Sequence, residues 1–174
     1  TTNTNIGLIA TKGTGTGAST AQNDGTIVST RGSGIGIYTN ESTGNSTGTI
    51  TMQKVSSVGI LGENNSTLSN SGKIEVLGVS SAGIYGQNSN ITNSGLKTAN
   101  KGIYVKDEKS AGIYGLLTNI ASADKTLSNT GLVKVENTGK SGSAGIYAKL
   151  DTTAAKKLST VNSGTIEVAQ TGSA

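Results

Sequence analysis

All five tyrosines of this 174-residue chain close the same tripeptide, Gly-Ile-Tyr, at Tyr38, Tyr85, Tyr104, Tyr114 and Tyr147. Phenols held in a row can bind a glycan or a protein surface, because rigid aromatic side chains lose little entropy on binding. The sequence offers little other chemistry. It has no His and no Cys, which removes the commonest bases, nucleophiles and transition-metal ligands. Its 10 acids are scattered. Glu75 and Glu167 share a place in the repeat described below but lie several units apart, and Asp107-Glu108 are adjacent in sequence, diverging or in a turn. Neither is the carboxylate pair that glycoside hydrolysis uses. No catalytic residue, metal ligand or cofactor is therefore expected. The stretch GTGTGA (13–18) shares only glycine content with a phosphate loop, lacking the Lys and the strand-to-helix setting. No Gly-Gly-X-Gly-X-Asp calcium repeat occurs.

Composition narrows the class further. Lys and Arg number 14 and the net charge is +4, with Lys156-Lys157 as the longest basic cluster. That is a solvated face and not a nucleic-acid footprint. No apolar run approaches the roughly 18 residues of a membrane span. Many Ser, Thr, Asn and Gly with few aromatics could mean disorder, but here the polar residues are periodic.

Two motifs alternate along the chain. In the first, apolar-Gly-(Ile/Leu)-X, the Gly falls at 7, 36, 59, 83, 112 and 145. In the second, Asn-X-Gly-X-apolar, the Asn is clearest at Asn23, Asn70, Asn129 and Asn162. In the unit between 83 and 112, Asn93-Ser94-Gly95 and Asn100-Lys101-Gly102 compete. The later is preferred, because it makes the returns 83→102, 112→131 and 145→164 all 19 residues. The minimal repeat is about 23 residues, and six units fill residues 1–174, read as one segment of a longer array.

Each position has a requirement. The residues before, after and three after the first Gly are apolar, apolar and small, and should share one strand face. The second motif alternates Ile27, Ile50, Ile74, Val133 and Ile166 with mostly polar residues, which is period two with one buried face. In the fourth copy, counting from Lys101 puts Ile103 and Val105 inside and implies a bulge near Lys101-Gly102. Short strands at a fixed period with no helical pattern specify an all-β fold, a right-handed parallel β-helix of about six coils. Like residues then stack at about 4.8 Å. Ile ladders form inside and Asn ladders at the corners, with the Gly beside each Asn supplying a tight or positive-φ corner. A β-propeller is the alternative, but its blades need longer repeats.

On this fold, Tyr85, Tyr114 and Tyr147 belong to consecutive coils and should stack on the outside, in a slot also filled by Ile9 and Leu61. Residues 87–99, 116–128 and 149–161 are longer loops of the last three coils, expected to project together on one edge. Asp124, Lys125, Lys149, Asp151, Lys156 and Lys157 would decorate them, and LDTTAAKKL (150–158) could wind into a helical turn capped by Asp151 or Thr152. These nine side chains, three tyrosines and six charges, are the candidate ligand-contact surface.

The combination of NSGKIEV (70–76), NSGTIEV (162–168) and the thrice-written SAGIY resembles the passenger repeats of the very large fusobacterial type V autotransporter adhesins, over nearly the whole chain. The resemblance implies an outer-membrane-anchored, extracellular passenger, exported unfolded and displayed as a rod. It implies attachment to a protein or glycan on host cells or other bacteria, with the membrane reached only through a translocator barrel outside this sequence. The alternative function is a carbohydrate-active β-helix enzyme or phage-tail-like depolymerase. Such an enzyme would cluster acids on one outer strand face. Unpaired edges of an excised array would also favour edge-to-edge self-association.

Overall fold

The computed structural model describes residues 5–14, 16–137, 142–151 and 155–170. Strands follow in threes. The first coil is β1 (Ile6–Thr11), β2 (Thr20–Asn23) and β3 (Thr26–Ser29); the second is β4 (Ile35–Asn40), β5 (Thr43–Ser46) and β6 (Thr49–Met52). The third is β7 (Val58–Glu63), β8 (Thr67–Asn70) and β9 (Lys73–Val76); the fourth is β10 (Ala82–Gln87), β11 (Asn90–Asn93) and β12 (Gly102–Val105). The fifth is β13 (Ala111–Leu117), β14 (Lys125–Asn129) and β15 (Leu132–Asn137); the sixth is β16 (Ala144–Leu150), β17 (Leu158–Asn162) and β18 (Thr165–Gln170). Every third strand pairs in parallel, giving three sheets of six: sheet A from β1 to β16, sheet B from β2 to β17, sheet C from β3 to β18. The fold is a right-handed parallel β-helix of six coils.

The interior is a set of columns. Ile37, Ile60, Ile84 and Ile113 stack from sheet A, Ile50, Ile74, Ile103 and Val133 from sheet C, and Leu68, Ile91 and Leu127 from sheet B, all essentially without exposure. Ile103 and Val105 are inside, as expected, but an excursion at 96–101 sets their phase and not a one-residue bulge near Lys101-Gly102. Each such side chain contributes about 1.5–3 kcal/mol.

The residue before the first Gly does not join this column. Val58, Ala82, Ala111 and Ala144 line an outer groove together with the tyrosines, so the expected three-residue inner face is wrong at its first position. Alternation fails because the Gly itself faces inward. A β-carbon on Gly59 would lie 2.8 Å from Ile74 Cγ2 and 2.5 Å from the Gly83 carbonyl oxygen. Two successive residues, Gly and Ile, thus point to the core, a bulge repeated alike in each coil, so that the strands stay paired one to one while the preceding residue turns outward.

The small residue three after the Gly does face inward, and its size is set by sheet B. Gly62 lies against Leu68, Gly86 against Ile91 and Gly115 against Leu127. In the second coil the sizes swap, with Thr39 against Gly44. The cross-section holds one bulky group at this place, supplied from either side.

Amides and hydroxyls tie the corners. Asn70 Nδ2 donates to Asn93 Oδ1 at 2.9 Å, Asn93 to Asn129 at 2.8 Å and Asn129 to Asn162 at 2.8 Å. Asn93, not Asn100, is therefore the ladder residue of the fourth coil. Residues 96–101 form an excursion closed by Lys101 N donating to Leu96 O, with a single 3₁₀ turn at Lys97–Ala99. The corner glycines beside these Asn do not adopt positive φ; among the described glycines Gly102 and Gly142 do. Close approach is the reason instead, since any side chain on Gly72 would strike the Gly48 carbonyl. A second ladder links Ser57, Ser81, Ser110 and Ser143, each backbone N–H donating to the next Oγ at 3.0–3.3 Å.

The Asn ladder breaks at Ser46, which accepts from Asn23 at 3.1 Å but leaves Asn70 Oδ1 without a donor. Ser46→Asn should supply that donor and raise stability by about 1 kcal/mol, read as a higher denaturant midpoint at unchanged slope. In contrast Gly59→Ala should cost about 3 kcal/mol by overpacking. The control Gly13→Ala, with open space at its β-carbon, should leave the midpoint where it was.

Candidate functional site

A groove of about 660 Å³ lies on the outer face of sheet A and runs along the axis over coils three to six. The bulge at the Gly column builds its floor, by turning Val58, Ala82, Ala111 and Ala144 outward. One wall is the tyrosine column. Register places Leu61, Tyr85, Tyr114 and Tyr147 side by side, and Ile9 and Tyr38 continue the slot below them. Tyr85 and Tyr114 have ring centroids 4.9 Å apart, and Tyr114 and Tyr147 5.1 Å, in edge-to-face contact. Tyr147 is 48% exposed while the other two are half-buried. Burial, with the neighbouring Tyr114 and Glu63, holds the Tyr85 phenol above the usual tyrosine range.

The opposite wall is the turn from sheet C back to sheet A. Ser56, Ser80 and Lys109 sit there at φ near 55° and Gly142 at 91°. The left-handed turn lets successive coils superpose at this edge. Glu63 and Gln87 close the far rim. Glu63 accepts the Tyr38 hydroxyl at 2.8 Å, and burial together with that bond raises the Tyr38 pKa.

Residues 39–173 match the family described as the BigA third pectate lyase-like domain. The chain belongs to this family. No curated protein and no solved structure matches it.

Apart from Glu63, the strand acids of this pectate lyase-like domain, Glu75, Glu136 and Glu167, sit on a different face. On the outside of sheet C, Thr51, Glu75, Tyr104, Lys134 and Glu167 form one column. Glu75 is paired with Lys73 at 3.1 Å and Lys106 at 3.7 Å, Glu136 with Lys134, and Glu167 with Lys97. The bond from Lys134 holds the Glu136 carboxyl below its usual range. Lys73 also lies 5.4 Å from the centre of the Tyr104 ring. Glu75 and Glu167 are separated by two coils, as their spacing in sequence requires. Among the described residues no three acids cluster.

The projected-loop expectation needs correction. Residues 87–99, 116–128 and 149–161 are not loops throughout: they contain β11, β14 and β17, the strands of sheet B. The fourth coil's excursion leaves another corner, after Gly95. Of the three segments, the parts that join sheet A to sheet B lie after Leu117 and after Leu150, and 118–124 folds back on the shaft. Thr118 N donates to Asn88 Oδ1 at 2.8 Å, and Ser122 Oγ to Asn65 Oδ1 at 2.9 Å. Lys125 opens β14 and is 5% exposed, its ammonium also on Asn65 Oδ1. Burial lowers its pKa, so Lys125 is a structural strap and not a surface charge. Asp124 Oδ1 accepts the Lys157 backbone N–H at 2.9 Å and joins the two loops. Lys149 is exposed on β16 beside Leu116, and Lys156 and Lys157 are exposed. The Asp151 N–H donates to Leu117 O at 2.8 Å. The proposed helical turn falls partly on 152–154, outside the described residues.

The structure thus gathers Tyr85, Tyr114 and Tyr147 into one wall, links Asp124 to Lys157 at a separate corner, and withdraws Lys125. Sequence reasoning missed the groove floor and the Ser ladder. The signal for both was the Ser-Ala that precedes every Gly-Ile-Tyr at 81–85, 110–114 and 143–147.

Asn65 stands at φ 64°, so Asn65→Gly removes the strap's acceptor without backbone strain. It should lower stability by about 1–3 kcal/mol through the orphaned ammonium and speed hydrogen exchange over 118–124. Adding Lys125→Met should restore much of the stability, because the buried charge is gone. Additive losses in the double variant would contradict the strap.

Proposed function

We propose that this domain is a segment of a surface-displayed adhesin passenger, which attaches the bearing cell to host cells or other bacteria through the outer face of sheet A. One observation carries the reading: an apolar, tyrosine-walled groove on the outside of a shaft whose interior is already filled. Exposed contiguous apolar surface on a folded domain marks an interaction site. Membership of the BigA third pectate lyase-like family agrees with a passenger-type β-helix on the bacterial surface. The finer likeness of NSGKIEV, NSGTIEV and SAGIY to fusobacterial passenger repeats points to the same role. A chain without Cys also suits export before folding.

Binding is favoured over bond cleavage by what the groove contains. Glu63 is its one carboxylate, and two are needed for acid–base hydrolysis. The remaining described acids of sheet C are each neutralised by a lysine on the far side of a packed core.

Beads coated with the domain should adhere to a subset of a panel of host and bacterial cells. Leu61 occupies the tyrosine slot naturally, so Tyr114→Leu with Tyr147→Leu preserves packing while removing the phenols. Attachment should fall at least fivefold at an unchanged melting temperature. Undiminished attachment, or none to any cell, would refute the reading. Release of reducing ends or unsaturated products from a polysaccharide panel would favour the enzyme alternative.

A further inference from the structure

We infer that the groove on sheet A accepts an uncharged glycan chain lying along the helix axis, and not an anionic polyuronate. The inference rests on the adhesin reading of the same groove and names the ligand class. Three features of the lining carry it.

The first is charge. Among the described lining residues, the charges at neutral pH are Glu63 and Lys109, one on each rim. A polyanion needs a row of cations or bridging metal along its length. The described lining offers one lysine and no row, and Glu63 repels a carboxylate near its end of the groove. An uncharged chain loses nothing to either group.

The second is the pairing of apolar floor and hydroxyl rim. Sugars present C–H faces and equatorial hydroxyls on opposite sides of one flat ring. The Ala floor and Tyr wall suit the C–H faces. Ser56, Ser80 and Gln87 suit the hydroxyls, as donors and acceptors without charge. The hydroxyls of Tyr85, Tyr114 and Tyr147 make no hydrogen bond to the described residues, so they too are available to a ligand.

The third is spacing. The tyrosines repeat at 4.9 and 5.1 Å, close to the advance of one pyranose residue in an extended chain. Successive sugars would therefore meet equivalent surroundings in coils four, five and six. Repetition of one weak contact is how a shallow site gains affinity for a polymer. It also predicts that affinity climbs with chain length up to the length of the groove.

The test uses the intact domain with hexasaccharides of neutral hexoses in several linkages, and hexagalacturonate as the anionic probe, with and without calcium. Binding is read by saturation-transfer NMR on the tyrosine ring protons and by titration calorimetry. At least one neutral hexasaccharide should bind saturably, and its disaccharide at least tenfold more weakly. Tyr114→Leu should weaken binding at least tenfold at unchanged melting temperature. Tyr104→Leu, on the far face, should leave it unaltered. Hexagalacturonate binding as tightly as the best neutral chain would overturn the inference. So would absence of binding to every neutral chain. If tyrosine-dependent cell attachment persists in that case, and protease treatment of the cells abolishes it, the adhesin reading stands with a protein ligand and the glycan inference falls. Loss of both cell attachment and glycan binding would sink the two together.

Discussion

Stacking at one strand spacing governs this protein. Each residue of an inner coil has as its nearest neighbour the residue in the same slot of the next coil, about 4.8 Å away. A side chain can occupy such a slot only if it suits a copy of itself. Ile and Leu do so by shape. The Asn amide does so by chemistry, since it carries a donor and an acceptor and can bond the copy on either side. The Ser hydroxyl of the second ladder accepts from one backbone and donates to another. A carboxylate or an ammonium fails the condition, because like would face like in a dry interior. Proline fails it too, for every inner strand residue must give its N–H to the ladder. The composition without Pro and with few charges is a consequence of this rule.

The same rule shapes the outer faces, though solvent relaxes it. On sheet C the outer column runs Glu75, Tyr104, Lys134, Glu167, so that no two like charges are adjacent. Lysines from neighbouring slots complete the pairing. On sheet A the solution is aromatic: rings tilt by 63–66° to meet edge to face, which suits their quadrupoles better than a face-to-face stack. Exceptions need a local device. Lys125 is one, a buried ammonium served by the Asn65 and Ser122 strap.

The period, fold class and ladders were legible in the sequence because self-stacking writes each slot in the same letters. What stayed hidden involved breaks in simple alternation. Ile35, Val58 and Ala82 look like core residues by type, yet a glycine bulge turns their column outward. No pattern of hydrophobicity distinguishes a glycine that faces in from one that faces out. In the last three coils sheet B reads as loop in the sequence because strands such as NITN (90–93) are short with few apolar positions. Equal spacing in the sequence favours Asn100, whereas the amide ladder uses Asn93. The hidden six-residue excursion at 96–101 reset the count. For the site, the tyrosine wall was readable from Gly-Ile-Tyr. The floor was not, since it depends on the same bulge.

That bulge connects the fold to the groove. With Gly and Ile both turned inward, the residue before them is released from the core and set beside the aromatic column. An inner slot changes size only where a facing slot compensates, as Thr39 and Gly44 do, but this outer slot has no such partner. Its occupants shrink along the axis, from Ile6 and Ile35 through Val58 to Ala82, Ala111 and Ala144, while the adjoining slot becomes tyrosine in each of the last three coils. A small floor beside a large wall makes depth. Stacking alone would be satisfied by Ile in both slots, as Ile6 and Ile9 in the first coil show. The depth of the groove in coils four to six is therefore an addition to what the fold requires, written into the outer columns where the β-helix leaves the sequence free.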